Sequence, residues 1–285
     1  MAVDPAPLVT IYIPTRNRPD FIQRAVKSCL AQTYRPIEII VVDDDSDAET
    51  KALLQRMMSD ISELKVLFNQ TRLGACQSRN KAIQCAAGEF ITGLDDDDEF
   101  EPNRIDEFVR QWTSADAFLC TGYQFILTKN KTICSARQAQ AISLLQLLEV
   151  NMVGNQLFTK TAYMQHIGGF DPSLIACQDY DVWIRLAMAF GGGRRLGNFS
   201  YVVHQEHELE RISTVERRLL GHQQLIDKHR LVLSQRQYNS QLFFRQLQSG
   251  QHIALVPLLK LSGPHWPTLL KVWLVQCYLR MFGKR

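Results

Sequence analysis

The sequence has no paired cysteines, no recognisable export signal and no apolar run long enough to cross a bilayer. Its seven cysteines are odd in number, scattered and never spaced Cys-x-x-Cys, which argues against a disulfide framework and a zinc site. The first residues, Met1 to Pro7, include an acid and two prolines, where a signal peptide needs basic residues followed by an apolar run. These absences predict a protein that works in a reducing, cytoplasmic compartment.

Charge is unevenly distributed along the 285 residues. The formal net charge is +3, yet the segment from Lys228 to Arg285 has nine Lys or Arg residues and no Asp or Glu. The part before it has 23 basic and 29 acidic residues. Such a split indicates an anionic partner for the basic end, and the apolar content of this tail favours lipid over nucleic acid.

Short apolar strands alternate with helical patterns in the first hundred residues, and 46% apolar composition is enough to bury a full core. The predicted strands are Val9–Pro14, Ile37–Asp43, Lys65–Phe68 and Phe90–Leu94, and the predicted helices are Pro19–Gln32, Ala48–Ser59 and Ala75–Ala87. This alternation predicts right-handed βαβ crossovers and a mostly parallel sheet, which binds ligands at the carboxyl ends of its strands.

The pattern is mixed after residue 98. It predicts a helix near Pro102–Trp112, a strand at Ala117–Tyr123, and helices near Ile142–Glu149 and Asp179–Phe190. From Thr214 onward the chain is predicted to be helical, and its last helices are expected at Ile253–Leu261 and Thr268–Phe282.

Five consecutive acidic residues, Asp95–Glu99, directly follow the fourth predicted strand. Carboxylates about 4 Å apart repel by roughly 4 kcal/mol at an effective dielectric near 20, so the cluster favours a bound cation. Hard oxygen ligands suit Mg²⁺ or Mn²⁺. Alternate residues of an extended chain share a face, so Asp95 and Asp97 are expected to point together and Asp96 away. A solvated acidic loop has the same composition, but a second acidic strand end at Asp43–Asp45 favours one shared site.

Six segments carry a further pattern in chain order: Pro14–Asn17, Ile40–Ser46, Leu73–Asn80, Asp95–Asp98, Gly168–Asp171 and Gln178–Arg185. Together they resemble the family 2 glycosyltransferases, with the fourth segment matching the Asp-x-Asp motif of that family. The similarity extends from about Leu8 to His207. Within the family, the segments around Gly74, Ile91 and Gly154 are most similar to colanic-acid-type enzymes of exopolysaccharide synthesis.

The resemblance implies an α/β protein of the GT-A fold, with a mostly parallel central sheet and a helical C-terminal extension. The implied catalytic domain covers residues 1–212, divided into a nucleotide-sugar-binding half (8–100) and an acceptor-side half (101–212), and a helical, basic extension covers 213–285. The implied activity is inverting, Mg²⁺- or Mn²⁺-dependent transfer of a sugar from a UDP- or GDP-sugar to a glycan or lipid-linked acceptor in surface polysaccharide biosynthesis.

The resemblance also implies roles for individual residues. Asp97 would be the main metal ligand and Asp95 would assist it, directly or through water. Arg79 would lie near the nucleotide or diphosphate, with an ion pair to the acidic strand ends as the alternative. The remaining donor-side residues are Pro14, Thr15 and Asp44 at the base, Arg16 where many relatives have an aromatic residue, and Asp96 near the ribose.

Asp179 matches the catalytic aspartate of the family, which deprotonates the acceptor hydroxyl so that it attacks the anomeric carbon. An Asp at the start of a helix is also a common N-cap, and both roles are compatible. Many relatives have Glu before this Asp, whereas this chain has Gln178, which predicts a lowered pKa for Asp179.

Three polar residues are weaker acceptor-side candidates: Asn155, Gln156 and His204. The tail combines Trp266, Trp273, Tyr278 and Phe282 with basic residues, which suits an interfacial helix on the anionic inner face of the plasma membrane, or a helix packed on the catalytic domain. Two rival functions are a sugar-1-phosphate nucleotidyltransferase and an inactive glycan- or lipid-binding scaffold. The first would need a Gly-rich triphosphate loop after the first strand, and the segment from Pro14 to Pro19 has no glycine.

Overall fold

The computed structural model describes residues 5–128, 131–135, 138–205 and 214–249. In the N-terminal half, strands and helices alternate as β1 (Val9–Thr15), α1 (Pro19–Leu30), β2 (Ile37–Asp43), α2 (Ala48–Asp60), β3 (Leu64–Phe68), α3 (Ala75–Cys85) and β4 (Phe90–Gly93). The chain continues through β5 (Glu99–Phe100), α4 (Arg104–Gln111), β6 (Leu119–Cys120), β7 (Tyr123–Thr128), β8 (Lys131–Cys134), β9 (Gln140–Ile142) and α5 (Leu144–Leu147). It then forms β10 (Phe158–Lys160), α6 (Thr161–His166), α7 (Gln178–Phe190), β11 (Gly193–Arg195), β12 (Tyr201–His204), α8 (Val215–Lys228) and α9 (Gln235–Gln248).

The described strands form two sheets. The larger has the order β3-β2-β1-β4-β10-β6-β11-β9, and its first four strands run parallel to one another. Strand β10 joins this parallel block in the antiparallel direction, with Phe158 opposite Thr92. The smaller sheet has the order β5-β12-β7-β8. The predicted α/β fold with a mostly parallel central sheet is confirmed.

Local sequence explains where the first helices begin. Helix α1 has Pro19 in its first turn, where the missing amide hydrogen has no cost. Helix α2 is capped by Asp47, whose carboxylate accepts a hydrogen bond from the Thr50 amide. Each of these helices follows a strand whose alternating and continuous apolar residues are buried, such as Ile11 and Ile39. The polar ends of β1, β2 and β4 therefore lie along one edge of the sheet.

A stacked aromatic cluster joins the parallel block to the second half of the first sheet. Phe158 lies between Phe90 and Phe108, with ring centroids 4.8 and 4.9 Å apart, and Trp112 packs edge-on against it. Phe90, Phe108 and Phe158 belong to the apolar core, and Trp112 packs against it. Since burying an aromatic side chain stabilises a fold by a few kcal/mol, roughly 2–3 each, this cluster fixes β10 against β4.

Two predicted elements differ from the structure. The helix expected at Ile142–Glu149 is limited to α5, because Ile142 instead pairs with Gly193 as part of a strand. The single strand expected at Ala117–Tyr123 is divided into β6 and β7, which belong to different sheets. The helices predicted at Ile253–Leu261 and Thr268–Phe282 lie outside the described residues.

The chain divides into two compact units. Among the described residues, the first contains the chain up to Leu144, Val153–Pro172 and 179–205, and the second contains Leu145–Met152, Ser173–Gln178 and 214–249. Helices α8 and α9 belong to the second unit, and α9 begins with a capping box formed by Ser234 and Gln237. No helix within the described ranges has the length and apolar character needed to span a membrane.

Candidate active site

The acidic cluster forms the turn between β4 and β5, beside the end of β1. The Leu94 amide donates to the Tyr12 carbonyl at 3.0 Å, and the Asp98 amide donates to the Asp95 carbonyl at 3.1 Å. The four aspartates therefore lie in a turn, where the alternation of an extended strand does not apply, and the expectation that Asp95 and Asp97 point together stays a prediction. The assignment of both residues to a metal is a separate prediction.

Asp96 is buried and fastens this turn to β1. It accepts hydrogen bonds from the Thr15 hydroxyl and from Arg18 Nη1, both at 2.8 Å. Burial raises the pKa of Asp96 to about 6, and Arg18 and Thr15 limit that rise by stabilising the carboxylate. Thr15 and Asp96, predicted from separate motifs, are thus in direct contact.

Arg18 joins two of the clustered acids and is absent from the residues predicted from the sequence. The same Nη1 atom that pairs with Asp96 lies 3.0 Å from Asp97 Oδ2. The Asp97 side chain is 33% exposed, so solvent reaches it. The sequence signal for Arg18 was its position in the loop after β1, beside the predicted donor-side residue Arg16.

Asp95 is held from three directions. Its Oδ1 accepts from Arg79 Nη2 at 3.0 Å and from Gln156 Nε2 at 3.3 Å. Its amide donates to the Tyr201 hydroxyl at 3.2 Å. The guanidinium of Arg79 also lies over the ring of Phe170, 5.2 Å from its centroid. Of the two alternatives for Arg79, the ion pair with an acidic strand end is therefore present in the structure.

Asp98 is buried next to Tyr201. Burial, followed by the charges of Asp95 and Asp97, raises its pKa above the ordinary value, while the Tyr201 hydroxyl and the His204 amide oppose the rise. These contacts hold Asp98 inside the turn, whereas Asp95 and Asp97 are the aspartates of this turn with more exposed side chains.

Gln156 is buried next to Asp95, and only 2% of its surface is exposed. The Tyr12 hydroxyl donates to its Oε1 at 3.1 Å, while its Nε2 points to Asp95. A Cβ at Gly93 would collide with both the Gln156 amide and the Tyr12 ring, so the absence of a side chain at Gly93 makes room for this pair. The buried amide does not offer itself to an acceptor sugar in this arrangement.

The other two weak acceptor candidates have different surroundings. Asn155 is exposed, and its backbone N–H donates to the Tyr123 hydroxyl at 2.7 Å. His204 is at the end of β12, with its Nε2 2.7 Å from Glu99 Oε1 and its amide donating to Asp98 Oδ1 at 3.2 Å. His204 therefore lies beside the acidic turn.

Asp44 follows β2 and uses both carboxylate oxygens locally. Oδ1 accepts from the Leu73 amide at 2.8 Å and from Asn69 Nδ2 at 3.0 Å, and Oδ2 accepts from the Gly74 amide at 2.9 Å. Burial alone would raise its pKa, but these hydrogen bonds lower it below the ordinary value. Asp44 thus fixes the loop that leads into α3, which carries Arg79.

Pro14 and Arg16 occupy the end of β1 and the loop after it. Pro14 is half-buried and is paired in register with Val42 of β2. Arg16 is exposed, so its side chain is available to a ligand at this edge.

Asp179 is in the first turn of α7, within electrostatic range of Asp95 and Arg79. Burial raises its pKa to about 6, Asp95 adds to the rise, and the Tyr180 amide and Arg79 oppose it. Burial therefore places the pKa of Asp179 above its ordinary value, and the lowering expected from Gln178, relative to family members with Glu there, stays a prediction. Asp179 is thus poised to exchange a proton near neutral pH.

Comparison with known proteins places this arrangement in context. The profile of glycosyl transferase family 2 matches residues 10–164, which include the acidic turn, Arg18, Arg79 and Gln156. The chain belongs to this family. It is 32% identical over 252 residues to the colanic acid biosynthesis glycosyl transferase WcaA of Escherichia coli (strain K12), covering 83% of this chain and 86% of that protein. The predicted enzyme class is confirmed.

Solved structures support the fold assignment. TarS of S. aureus, residues 1–349 in complex with UDP-GlcNAc, superimposes with a TM-score of 0.66 at 17% identity, covering 94% of this chain and 81% of that one. The mannosyltransferase PcManGT of Pyrobaculum calidifontis, in complex with GDP-Man and Mn²⁺, gives a TM-score of 0.57 at 15% identity, covering 99% and 89% of the two chains. At these identities the likeness supports the fold, and the GT-A prediction is confirmed.

Proposed function

We propose that this glycosyltransferase transfers a sugar, with inversion, from a nucleotide-diphosphate donor to a glycan or lipid-linked acceptor in surface polysaccharide synthesis. The observation that carries the proposal is the convergence of Asp95, Arg79 and Asp179. Asp95 is a carboxylate of the kind that binds divalent metals, and Arg79 has a guanidinium suited to phosphate. Both lie within electrostatic range of Asp179, a carboxylate with its pKa near 6.

Asp95 and Asp97 fit a divalent cation that completes its coordination with donor phosphates. Among the described residues, no group of three or more metal-ligating side chains comes together. Mg²⁺ typically needs only one or two protein carboxylates when substrate phosphates and water supply the other oxygens. The two side chains are 26% and 33% exposed, which leaves them accessible to a cation. When bound, Mg²⁺ or Mn²⁺ would neutralise charge on the departing diphosphate.

On the donor side, the chain supplies a polar rim from separate strand ends. Thr15 and Asp96 form one contact there, Asp44 fixes the next loop, and Arg16 is exposed beside them. Within the described chain, the buried Nε of Arg79 has no hydrogen-bond partner. Arg79 already pairs with Asp95 through Nη2, and a donor phosphate would add an acceptor for Nε, since Arg binds phosphates through several parallel hydrogen bonds.

Asp179 acts as the general base in this proposal. Its carboxylate would accept the proton of the acceptor hydroxyl as the oxygen attacks the anomeric carbon, opposite the departing diphosphate. Partial burial raises the affinity of Asp179 for that proton, and Arg79 favours the ionised form that acts as a base. Direct displacement of this kind gives a product of inverted configuration.

The acceptor and the membrane are proposed on other grounds. The similarity to a colanic acid biosynthesis enzyme favours a polysaccharide product. The basic, aromatic tail around Trp273 favours contact with an anionic membrane surface that carries lipid-linked acceptors. These tail residues lie outside the described part of the chain.

Donor turnover tests the proposal directly. The protein is incubated with UDP- and GDP-sugars in Mn²⁺, Mg²⁺ or EDTA, and the released nucleotide is identified by chromatography. We expect cation-dependent release of UDP or GDP, lost in Asp97→Asn and in Asp179→Asn, with donor binding retained only in the second variant. Pyrophosphate release from a sugar 1-phosphate and a nucleoside triphosphate would instead indicate a nucleotidyltransferase, and binding without any turnover would indicate a scaffold.

A further inference from the structure

Arg18 is the resident counter-ion of two acids in the β4–β5 turn. One nitrogen, Nη1, lies 2.8 Å from Asp96 Oδ1 and 3.0 Å from Asp97 Oδ2. The guanidinium thus occupies a position between the carboxylates where a cation would also be stabilised.

Two other acids of the cluster also have arginine partners. Arg79 pairs with Asp95 at 3.0 Å, and Arg24 lies 3.4 Å from Glu99 Oε1. These arginine side chains therefore limit the repulsion that an acidic run of this length would otherwise generate.

Arg18 differs from Arg79 in how easily it can leave. It precedes α1 at the N-cap position, and its side chain makes no capping hydrogen bond. The Arg18 and Asp97 side chains are 21% and 33% exposed, so water can solvate both partners once they separate. Arg79, in contrast, is part of α3, and its guanidinium packs over the ring of Phe170. Because both partners reach solvent, we expect Arg18 to separate from Asp97 by rotation of its side chain.

We propose that Arg18 and the divalent cation are alternative partners of Asp97, so that the cation binds only when the Arg18 guanidinium has left the Asp97 carboxylate. This inference rests on the cation site of the proposed function. A doubly charged ion on Asp97 would lie within a few ångströms of the guanidinium and would repel it. Thus Arg18 lowers the affinity for free metal and keeps the acidic turn folded until donor and cation arrive together.

Binding of Mn²⁺ alone tests this exchange. The protein is titrated with Mn²⁺, and free Mn²⁺ is followed by electron paramagnetic resonance for the wild type, Arg18→Gln, Arg18→Lys and the matched surface control Arg110→Gln. Arg110 pairs with Asp106 and is 66% exposed, away from the acidic turn. We expect Arg18→Gln to bind Mn²⁺ about fivefold more tightly or better, because the competing charge is gone. Arg18→Lys and Arg110→Gln should stay within about twofold of the wild type, since the first keeps the charge and the second lies elsewhere.

The outcomes separate this inference from the proposed function. Wild-type Mn²⁺ binding that is unchanged or weakened in Arg18→Gln overturns the exchange while leaving the cation site in place. If neither protein binds Mn²⁺, alone or with UDP or GDP, the cation site and the exchange both fail. Arg18→Gln combined with Asp97→Asn should lose the gain in affinity, which would attribute the gain to Asp97.

A second measurement follows the wild-type protein during the titration and uses a variant only to assign one resonance. The Nε–H resonance of Arg18 is assigned by its absence from the spectrum of Arg18→Lys, and diamagnetic Mg²⁺ is then added. Exchange predicts a shift of this resonance at the Mg²⁺ concentrations that saturate binding. A resonance that stays in place while Mg²⁺ binds would contradict the proposal.

Discussion

Arg79 donates to Asp95 Oδ1 at 3.0 Å, and the same guanidinium lowers the pKa of Asp179 against the effect of burial. One side chain of α3 thus serves both the proposed cation ligand and the proposed base. Because a positive charge near Asp179 favours its ionised form, Arg79 lowers the pH at which the base becomes available.

Replacing Arg79 with Met should therefore change both properties. We expect a lower kcat/KM, by about 10²-fold given the loss of electrostatic stabilisation, and a pH profile whose acidic limb moves to higher pH because the pKa of Asp179 rises. Arg79→Lys keeps the charge and should keep the position of the limb. Steady-state rates between pH 5 and 9 measure both, with Arg110→Met as a control. A limb that does not move in Arg79→Met would show that Arg79 does not influence the base.

Ionisation of Asp179 should have opposite effects on activity and on the stability of the fold. Its folded-state pKa, about 6, exceeds the ordinary value of 3.8, so the native state binds the proton more tightly than the unfolded chain between these values. Stability then falls as pH rises through this window, and the ionised Asp179 destabilises the native state above pH 6. Activity has the reverse dependence, since the base must be ionised.

Asp179→Asn tests this trade-off. We expect kcat to fall by roughly 10²–10⁴-fold, as for loss of a general base. The free energy of unfolding should rise by up to about 2 kcal/mol above pH 6, and the gain should vanish below pH 4. Urea unfolding at pH 4 and pH 7.5, with turnover assays at pH 7.5, measures both effects. Equal stability of the variant and the wild type at the higher pH would argue against a buried, ionised Asp179.

Asp44 should depend on pH in the opposite direction. Burial is outweighed by the amides of Leu73 and Gly74 and by Asn69, so its folded-state pKa is lowered. Its contribution to stability is present above the unfolded value near 3.8 and is lost as pH falls through the folded pKa. Asp44→Ala removes the acceptor of three hydrogen bonds and should cost about 2–3 kcal/mol of unfolding free energy at pH 7.

The matched variant for Asp44 is Asp45→Asn. Asp45 is a neighbouring acid whose ion pair with Lys51 is more exposed, and Asn tolerates its left-handed backbone (φ 59°), so loss of this charge should cost well under about 1 kcal/mol. Urea unfolding of both variants at pH 7 and pH 3 gives the comparison. A cost for Asp44→Ala that persists undiminished at pH 3 would show that the carboxylate charge is not what fixes the loop.

The sequence predicted the parallel strands because their apolar runs are local signals. Four such runs gave β1 to β4, and the polar ends of β1, β2 and β4 were correctly placed at one edge. Contacts set by long-range register were beyond local reasoning. Gln156 reaches Asp95 because β10 runs antiparallel to β4, with Phe158 opposite Thr92, and no short-range pattern encodes that pairing. For Arg18, only the geometry of the turn revealed which carboxylates it joins.

The buried pair of Tyr12 and Gln156 provides the last prediction. Tyr12 donates to Gln156, which in turn donates to Asp95. Gln156→Leu leaves the buried Tyr12 hydroxyl without its acceptor, which should cost about 1–3 kcal/mol, and removes one of the donors that orient Asp95. The double variant Tyr12→Phe with Gln156→Leu replaces both partners by apolar groups, so it should recover much of the unfolding free energy.

Cation-dependent turnover should not recover in that double variant, because Asp95 still lacks the donation from Gln156. Urea unfolding and the Mn²⁺ concentration at half-maximal activity separate the two effects, and Tyr12→Phe alone is the control that keeps Gln156. If the double variant regained wild-type Mn²⁺ dependence together with stability, Gln156 would support the fold without orienting Asp95. A raised half-maximal Mn²⁺ concentration in a protein of restored stability would instead make Gln156 a positioning residue for the cation ligand.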